Sequence, residues 1–264
     1  MNTSEELWLC LYFPLLPVEV FCRHDNSPVV VLNRQQVSFL NQPARDIGIM
    51  QGSSMSTAYT ISDHVVSFER DENKELKRLE HLAQWAYQFT PSVSLTPPQS
   101  LLLEIGGCLK LFQGLANLKQ TISDRLTALG YTVAMGVNRT PLAALCYAAA
   151  ALDDNTGDVR QSLARVPVQQ LHIEDAIIEK LHQMGISRCQ QLFALPVDGL
   201  NRRFGVFFTD YLARLTGASP DPQKFITDEP VFASEITFLA DVTDLNSLLF
   251  PIKRLLGELH DFLR

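Results

Sequence analysis

The sequence predicts an α+β protein with a mixed first part and a helical second part. Up to about residue 155, short Val- and Leu-rich runs alternate with segments of helical apolar spacing, in a βαβ-like manner. From about 161 to 222 the strand signal stops, and short helices follow one another with Gly185, Pro196, Gly205 and Gly217 as punctuation. After the linker "GASPDPQKFITDEP" come one strand, "VFASEITFL", and a helix from about Asp244 to Leu263. A lone strand and helix cannot bury both their faces, so this last piece reads as the start of a further domain.

The elements follow in order. "LWLCLYFPLLPVEVF", Leu7 to Phe21, predicts a buried strand over 7–13 running into a short turn. "PVVVLN" predicts a strand over 28–33. Pro43 sits where a first helical turn accepts it, and the short helix it opens stops at Gly48. Gly52, Ser53, Ser54 and Ser56 predict a loop. Leu76, Leu79, Leu82, Ala83, Ala86 and Tyr87 fall on one face of a helix within 71–90. Two strands flank the Pro97–Pro98 break, the second a continuous apolar run from Leu101 to Ile105. A helix over 115–129, a strand over 131–137 and a helix opening at Pro141 complete the mixed part. "DDNTGDVR" reads as a linker. The helical part reads as 168–171, 174–184, 187–194, 197–204 and 206–216.

Composition excludes several classes. The 264 residues are 46% hydrophobic with mixed charge, which is enough to build a sizeable core. No apolar run is long and clean enough to span a bilayer, and Glu5 and Glu6 stand where a signal peptide would be basic. Five cysteines, Cys10, Cys22, Cys108, Cys146 and Cys189, are scattered singly, without zinc-ligand spacing. They read as small buried hydrophobes in a reducing, cytoplasmic setting. His24, His64 and His81 are as dispersed, and read as surface or core-edge residues. The net charge of −7 gives no general attraction to nucleic acid. Residues 160–225 nonetheless hold eight basic and six acidic side chains, a local +2, so any DNA contact should concentrate there.

Nearly the whole chain resembles the Y-family DNA polymerases, the translesion enzymes. The family's Val-Glu pair falls on Val18–Glu19, which puts its first metal-binding Asp position on Cys10. "ARDIGIMQG", Ala44 to Gly52, resembles a fingers motif, and Arg45 is retained there. The fingers Tyr of the family falls on Gln42. "TPSVSLTPPQSLLLEI" matches the second palm motif without a gap; the metal-binding Asp-Glu pair falls on Gln99–Ser100 and the Leu-Asp pair on Leu103–Glu104. "GVNRTPLAALCYA" resembles a later segment, whose triphosphate-binding Lys falls on Pro141. "IEDAIIEKLHQMGISRCQQLFALP" resembles the thumb helix-hairpin-helix, with the hairpin glycines replaced by His172 and Glu174.

The resemblance is to one branch in particular, ImuB, which lacks the catalytic acids. It implies a palm from 1–25 and 75–160 whose sheet carries helices on one face. It also implies fingers over 26–74, a helix-hairpin-helix-like thumb over 161–222 and an incomplete little finger over 229–264. It implies a noncatalytic adaptor in damage-induced mutagenic translesion synthesis, binding DNA weakly and recruiting an error-prone DnaE-like polymerase. The implied partners are that polymerase, the sliding clamp, a RecA-like protein and RecA, with no membrane and no cofactor. Two-metal phosphoryl transfer needs hard anionic oxygen ligands. Cys10 offers a soft sulfur, and Gln99 and Ser100 offer neutral oxygens. Glu19 and Glu104 remain, so the alternative is an active polymerase with divergent ligands. A second alternative is a protein-interaction module without DNA affinity.

Other signals have two readings each. The hairpin at His172 to Glu174 is either a DNA contact or helical packing. Arg188, Arg202 and Arg203 either touch backbone phosphate or form an ordinary solvated face. "QQLFAL" is either a clamp-binding peptide or thumb core at helical spacing, and the spacing favours core. "GGCLKLFQG" lacks the Gly-Lys-Ser/Thr ending of a phosphate loop, so a strand-to-helix turn explains its glycines. "VFFTDYLARLT" is either a partner patch or packing.

Overall fold

The computed structural model describes residues 6–23, 27–152 and 158–227, with 252, 253 and 256 in addition. The chain divides into two compact units, Met1–Ile226 and Thr227–Arg264, and the elements that follow belong to the first. The strand expected within 229–264, and the expected helix apart from residues 252, 253 and 256, lie outside the described residues, as do His24 and most of the 153–160 linker. Among the described residues no helix is long and apolar enough to cross a membrane.

The main sheet has four strands: β1 (Trp8–Tyr12), β5 (Val93–Thr96), β6 (Ser100–Glu104) and β7 (Ala134–Asn138). Their order is β5-β6-β1-β7, and every pairing is antiparallel. The βαβ-like alternation therefore does not produce a parallel sheet. The two strands around Pro97–Pro98 form a hairpin, and β1 lies between chain-distant partners, so helices and strands alternate in sequence without parallel crossovers.

Alternation along the strands sends side chains to two faces. Leu9, Leu11, Val93, Leu101 and Leu103 meet Leu79, Leu82, Ala83 and Ala86 of α4 (Glu72–Ala86) and Leu118, Ile122 and Leu126 of α5 (Leu115–Ala128). Burying each of these Leu and Ile side chains contributes about 1.5–3 kcal/mol. The other face is not bare. Trp8, Cys10 and Leu102 pack against Ala144, Leu145 and Ala148 of α6 (Pro141–Ala149). The expectation of helices on one face is corrected by α6, which is apolar all round and must be covered on both flanks. Its second flank, Ala143, Cys146 and Tyr147, seeds the core of the helical part with Leu163, Leu181, Leu192, Leu200, Tyr211 and Leu215.

A second sheet follows β1 in the chain. β2 (Val29–Asn33) is flanked by β3 (Gln36–Leu40), antiparallel, and β4 (Val66–Glu69), parallel. Only β2 was legible from the sequence, because β3 and β4 are short and half exposed. The turn expected after β1 is a helical turn, α1 (Leu16–Glu19), and the short helix opening at Pro43 is α2 (Gln42–Asp46). The loop expected to open at Gly52 ends at Ser54, and Ser56 lies in α3 (Met55–Ile61). Ser54 caps it by accepting a hydrogen bond from the Thr57 N–H, the local chemistry that makes serine a helix opener. In the helical part α7 (Val159–Leu163) begins within the expected linker. A 3-10 turn (Val168–Gln170), α8 (Asp175–Gln183), α9 (Cys189–Phe193), α10 (Val197–Phe204) and α11 (Val206–Thr216) agree with expectation to within two residues.

Candidate catalytic corner and nucleic-acid interface

The sheet brings Cys10, Gln99 and Ser100 to one corner. Tyr12 is opposite Ser100 and Cys10 opposite Leu102, so the Cys10 and Ser100 side chains share the face that α6 covers. The Phe13 N–H donates to the Gln99 carbonyl at 2.8 Å, closing that end of the strand pair. Cys10 is fully buried. Burial pushes its thiol far above the ordinary value and Cys146 adds to this, while a hydrogen bond with Ser100 opposes it only in part. The sulfur is thus a neutral core atom under Ala144, Leu145 and Ala148. Gln99 is also buried, and its Nε2 has no hydrogen-bond partner among the described residues.

Both remaining carboxylates are engaged elsewhere. Glu104 lies four residues along β6 from Ser100, about 13 Å at about 3.3 Å per residue. Its Oε1 accepts the N–H groups of Gly106 at 2.8 Å and Leu7 at 3.3 Å, fastening the strand end. Glu19, on α1, is buried, and its Oε1 accepts the Thr132 N–H at 2.8 Å. Its Oε2 is buried with no hydrogen-bond partner among the described residues. Burial pushes the Glu19 carboxyl above its ordinary range, against the Thr132 bonds and the Arg23 charge, which pull it down.

The remaining expected residues are spread out. Pro141 is buried at the first turn of α6, where its missing N–H costs nothing. Arg45 and Gln42 are exposed on α2, and Gln42 donates to Asp46 at 2.7 Å. In the hairpin before α8, the His172 N–H donates to the Tyr211 hydroxyl at 3.2 Å and the Ile173 N–H to the Leu171 carbonyl at 2.9 Å. Both amides are thus already hydrogen-bonded within the chain, and Glu174 and Asp175 stand at the start of α8. Arg188, at the N-cap of α9, and Arg202 and Arg203, in the last turn of α10, are exposed. Leu192 of "QQLFAL" is fully buried in the helical core. Phe208, Tyr211, Leu212 and Leu215 of "VFFTDYLARLT" are buried there too, while Phe207 is 88% exposed.

Sequence reasoning missed a cleft of about 720 Å³ at the Trp8 end of the same sheet, between Arg139–Thr140 and the segment after α11. Its outer wall is the stretch read as a linker. The one signal that could have marked it is Phe225, an aromatic residue alone in a polar, Pro-containing run.

The architecture is that of a Y-family DNA polymerase. The insertion ternary complex of Dbh DNA polymerase superposes with a TM-score of 0.65 at 16% identity, over 83% of this chain and 69% of that one. DinB from Sulfolobus solfataricus does so with a TM-score of 0.63 at 15% identity, over the same shares. Residues 18–149 match the model of the IMS family, impB/mucB/samB, and the chain belongs to that family. Protein ImuB of Caulobacter vibrioides, found in two strains, is 27% identical over 182 residues, 68% of this chain. That match spans 40% of the relative's length.

The sequence resemblance places the family's divalent-cation ligands at Cys10, Gln99 and Ser100. The residues present do not fit such cations. A hard dication takes several charged oxygens, whereas this corner offers a buried neutral thiol, a hydroxyl and an amide.

Proposed function

We propose that this chain is a noncatalytic, polymerase-like adaptor in damage-induced mutagenic translesion DNA synthesis. The observation that carries the reading is Cys10, a fully buried thiol beside Ser100, at the position onto which the sequence resemblance places the family's first metal carboxylate. The engagement of Glu19 by Thr132 and of Glu104 by Gly106 supports it further. In this reading residues 1–25 and 75–160 are the palm, 26–74 the fingers, 161–222 the thumb, and 229–264 the start of a little finger.

DNA is held weakly, through backbone phosphates, by Arg188, Arg202 and Arg203. The amides of His172 and Ile173, already bonded within the chain, and the carboxylate of Glu174 weaken the hairpin as a phosphate cradle. By likeness to ImuB the chain recruits an error-prone DnaE-like polymerase and works with the sliding clamp, a RecA-like protein and RecA, in the cytoplasm. Catalysis then belongs to the recruited enzyme, and Gln99, Ser100 and Pro141 are structural.

Primer extension tests the reading. With magnesium or manganese, the chain is expected to incorporate no nucleotide above blank. Incorporation abolished by Glu19→Ala or Glu104→Ala would overturn it in favour of an active polymerase with divergent ligands. A salt titration of primer–template binding separates the adaptor from a pure protein-interaction module. The adaptor gives a log–log slope of about −0.9 per phosphate contact, and the module does not bind at low salt.

A further inference from the structure

The segment after α11 is not a free linker. It leaves the helical part at Leu215, whose carbonyl accepts the Thr140 hydroxyl at 2.9 Å, and turns at Gly217 with φ +80°. Arg214 meets Asp221 at 3.3 Å, and Gln223 Nε2 donates back to Asp221 Oδ2 at 3.0 Å, so the stretch is folded on itself. It then reaches the outer edge of β5. Phe225 forms an antiparallel bridge with Ser94, and the Ile226 N–H donates to the Val93 carbonyl at 2.8 Å. The Tyr87 hydroxyl donates to the Ile226 carbonyl at 3.3 Å. The Phe225 ring stacks on Trp8 of β1, centroids 6.1 Å apart and planes 8° from parallel.

We propose that residues 217–226 are a releasable strap: docked, it caps the β5 edge and walls the cleft at Trp8; released, it opens both. The attachment at the β5 end consists of one bridge, one ring stack, one hydroxyl bond and the packing of Ile226 against the main core, and Phe225 stays 42% exposed within it. Docking also carries a cost. Trp8 is 5% exposed, and its indole N–H is buried without an acceptor among the described residues. An unmet buried donor destabilises the state that buries it, and the Phe225 ring lies against one face of this indole. The freed edge of β5 presents backbone N–H and C=O groups to an extended strand, the usual way a sheet edge takes on a peptide.

The test uses the full chain carrying Trp85→Phe, which leaves Trp8 as the only tryptophan of the two. Docking predicts a slowly exchanging Ile226 amide and a Trp8 emission shielded from acrylamide. Phe225→Ala is expected to speed Ile226 exchange about tenfold or more and to raise Trp8 quenching, while Leu101 to Leu103 keep their protection. Ile226→Pro, which removes the donor to Val93, is expected to raise quenching as well. The proposal fails if Ile226 is unprotected in the parent, or if either variant leaves Trp8 shielded. It fails equally if Phe225→Ala also strips protection from Leu101 to Leu103, since the segment would then be ordinary core.

Discussion

Cys10 lies directly opposite Gly136 across the β1–β7 pairing, and α6 comes down on the sheet at Gly136. A Cβ built there would overlap the Ala148 backbone nitrogen, the Ala144 carbonyl and the Tyr147 Cβ. This close approach seals Cys10, because Ala144 and Ala148 reach the sulfur only where the helix can touch the strand.

Gly136→Ala should therefore destabilise the fold by about 3 kcal/mol or more, since the obstructing atoms are mostly backbone. Urea unfolding measures this. A loss under about 1 kcal/mol would mean that α6 does not close on β7 as described.

An acid introduced at Cys10 should not create a metal site. Cys10→Asp places a carboxylate beneath α6, where desolvation raises its pKa and keeps it protonated in the native state. The unfolded chain titrates near pH ~3.9, so the penalty grows as pH rises above that value. Unfolding free energies at pH 4 and pH 7 are expected to show the larger loss at pH 7. Equal losses, or magnesium-dependent stabilisation of the variant, would contradict this.

The Glu19 carboxyl supplies a second pH dependence. Burial raises its pKa above the ordinary 4.5, so the native state holds this proton more tightly than the unfolded chain. Its contribution to stability is full below pH 4.5 and is lost as pH rises through the raised value. Glu19→Gln keeps an acceptor for the Thr132 N–H and removes the titration. The parent should lose stability relative to this variant as pH rises through that window. A difference that stays flat with pH would refute the assignment.

Arg70 and Glu75 tie the end of β4 to the first turns of α4. Arg70 Nε meets Glu75 Oε1 and Nη2 meets Oε2, both at 2.8 Å, and the Glu75 side chain is 2% exposed. Arg70→Ala leaves that carboxylate buried and unpaired, at an expected cost of about 3–5 kcal/mol. Arg70→Lys cannot reproduce the two-pronged contact and should recover only part of it. Chemical denaturation of both variants orders them, and equal stability of Ala and Lys would show that the fork is unimportant.

On the helical part, Arg202→Ala and Arg203→Ala should each reduce the salt slope of primer–template binding by about 1 without altering its sequence preference. Fluorescence anisotropy across a salt series reads the slope. An unchanged slope would assign both residues to the solvated surface.

Most of the main sheet and the helical part were legible in the sequence, because their apolar periodicity is strong. Cys10 in a buried strand, Leu101 to Ile105 as an apolar run and the bounds of α10 and α11 all follow from pattern alone. β3 and β4 escaped because half-exposed strands of four or five residues carry little alternation, and α3 because its signal is a single serine cap. The contacts of Phe225 and Ile226 with β5 were not legible in the linker, because its prolines and polar residues carry no strand signal.

The sequence by itself determined which chemical groups stand at the corner of β1 and β6: a thiol, an amide and a hydroxyl. Only the tertiary structure decided what Glu19 and Glu104 do: their carboxylates accept backbone N–H groups of Thr132 and Gly106. The reason is that residue type is local, whereas a side chain's direction and dielectric surroundings are set by strands and helices more than a hundred residues away, as Thr132 is from Glu19.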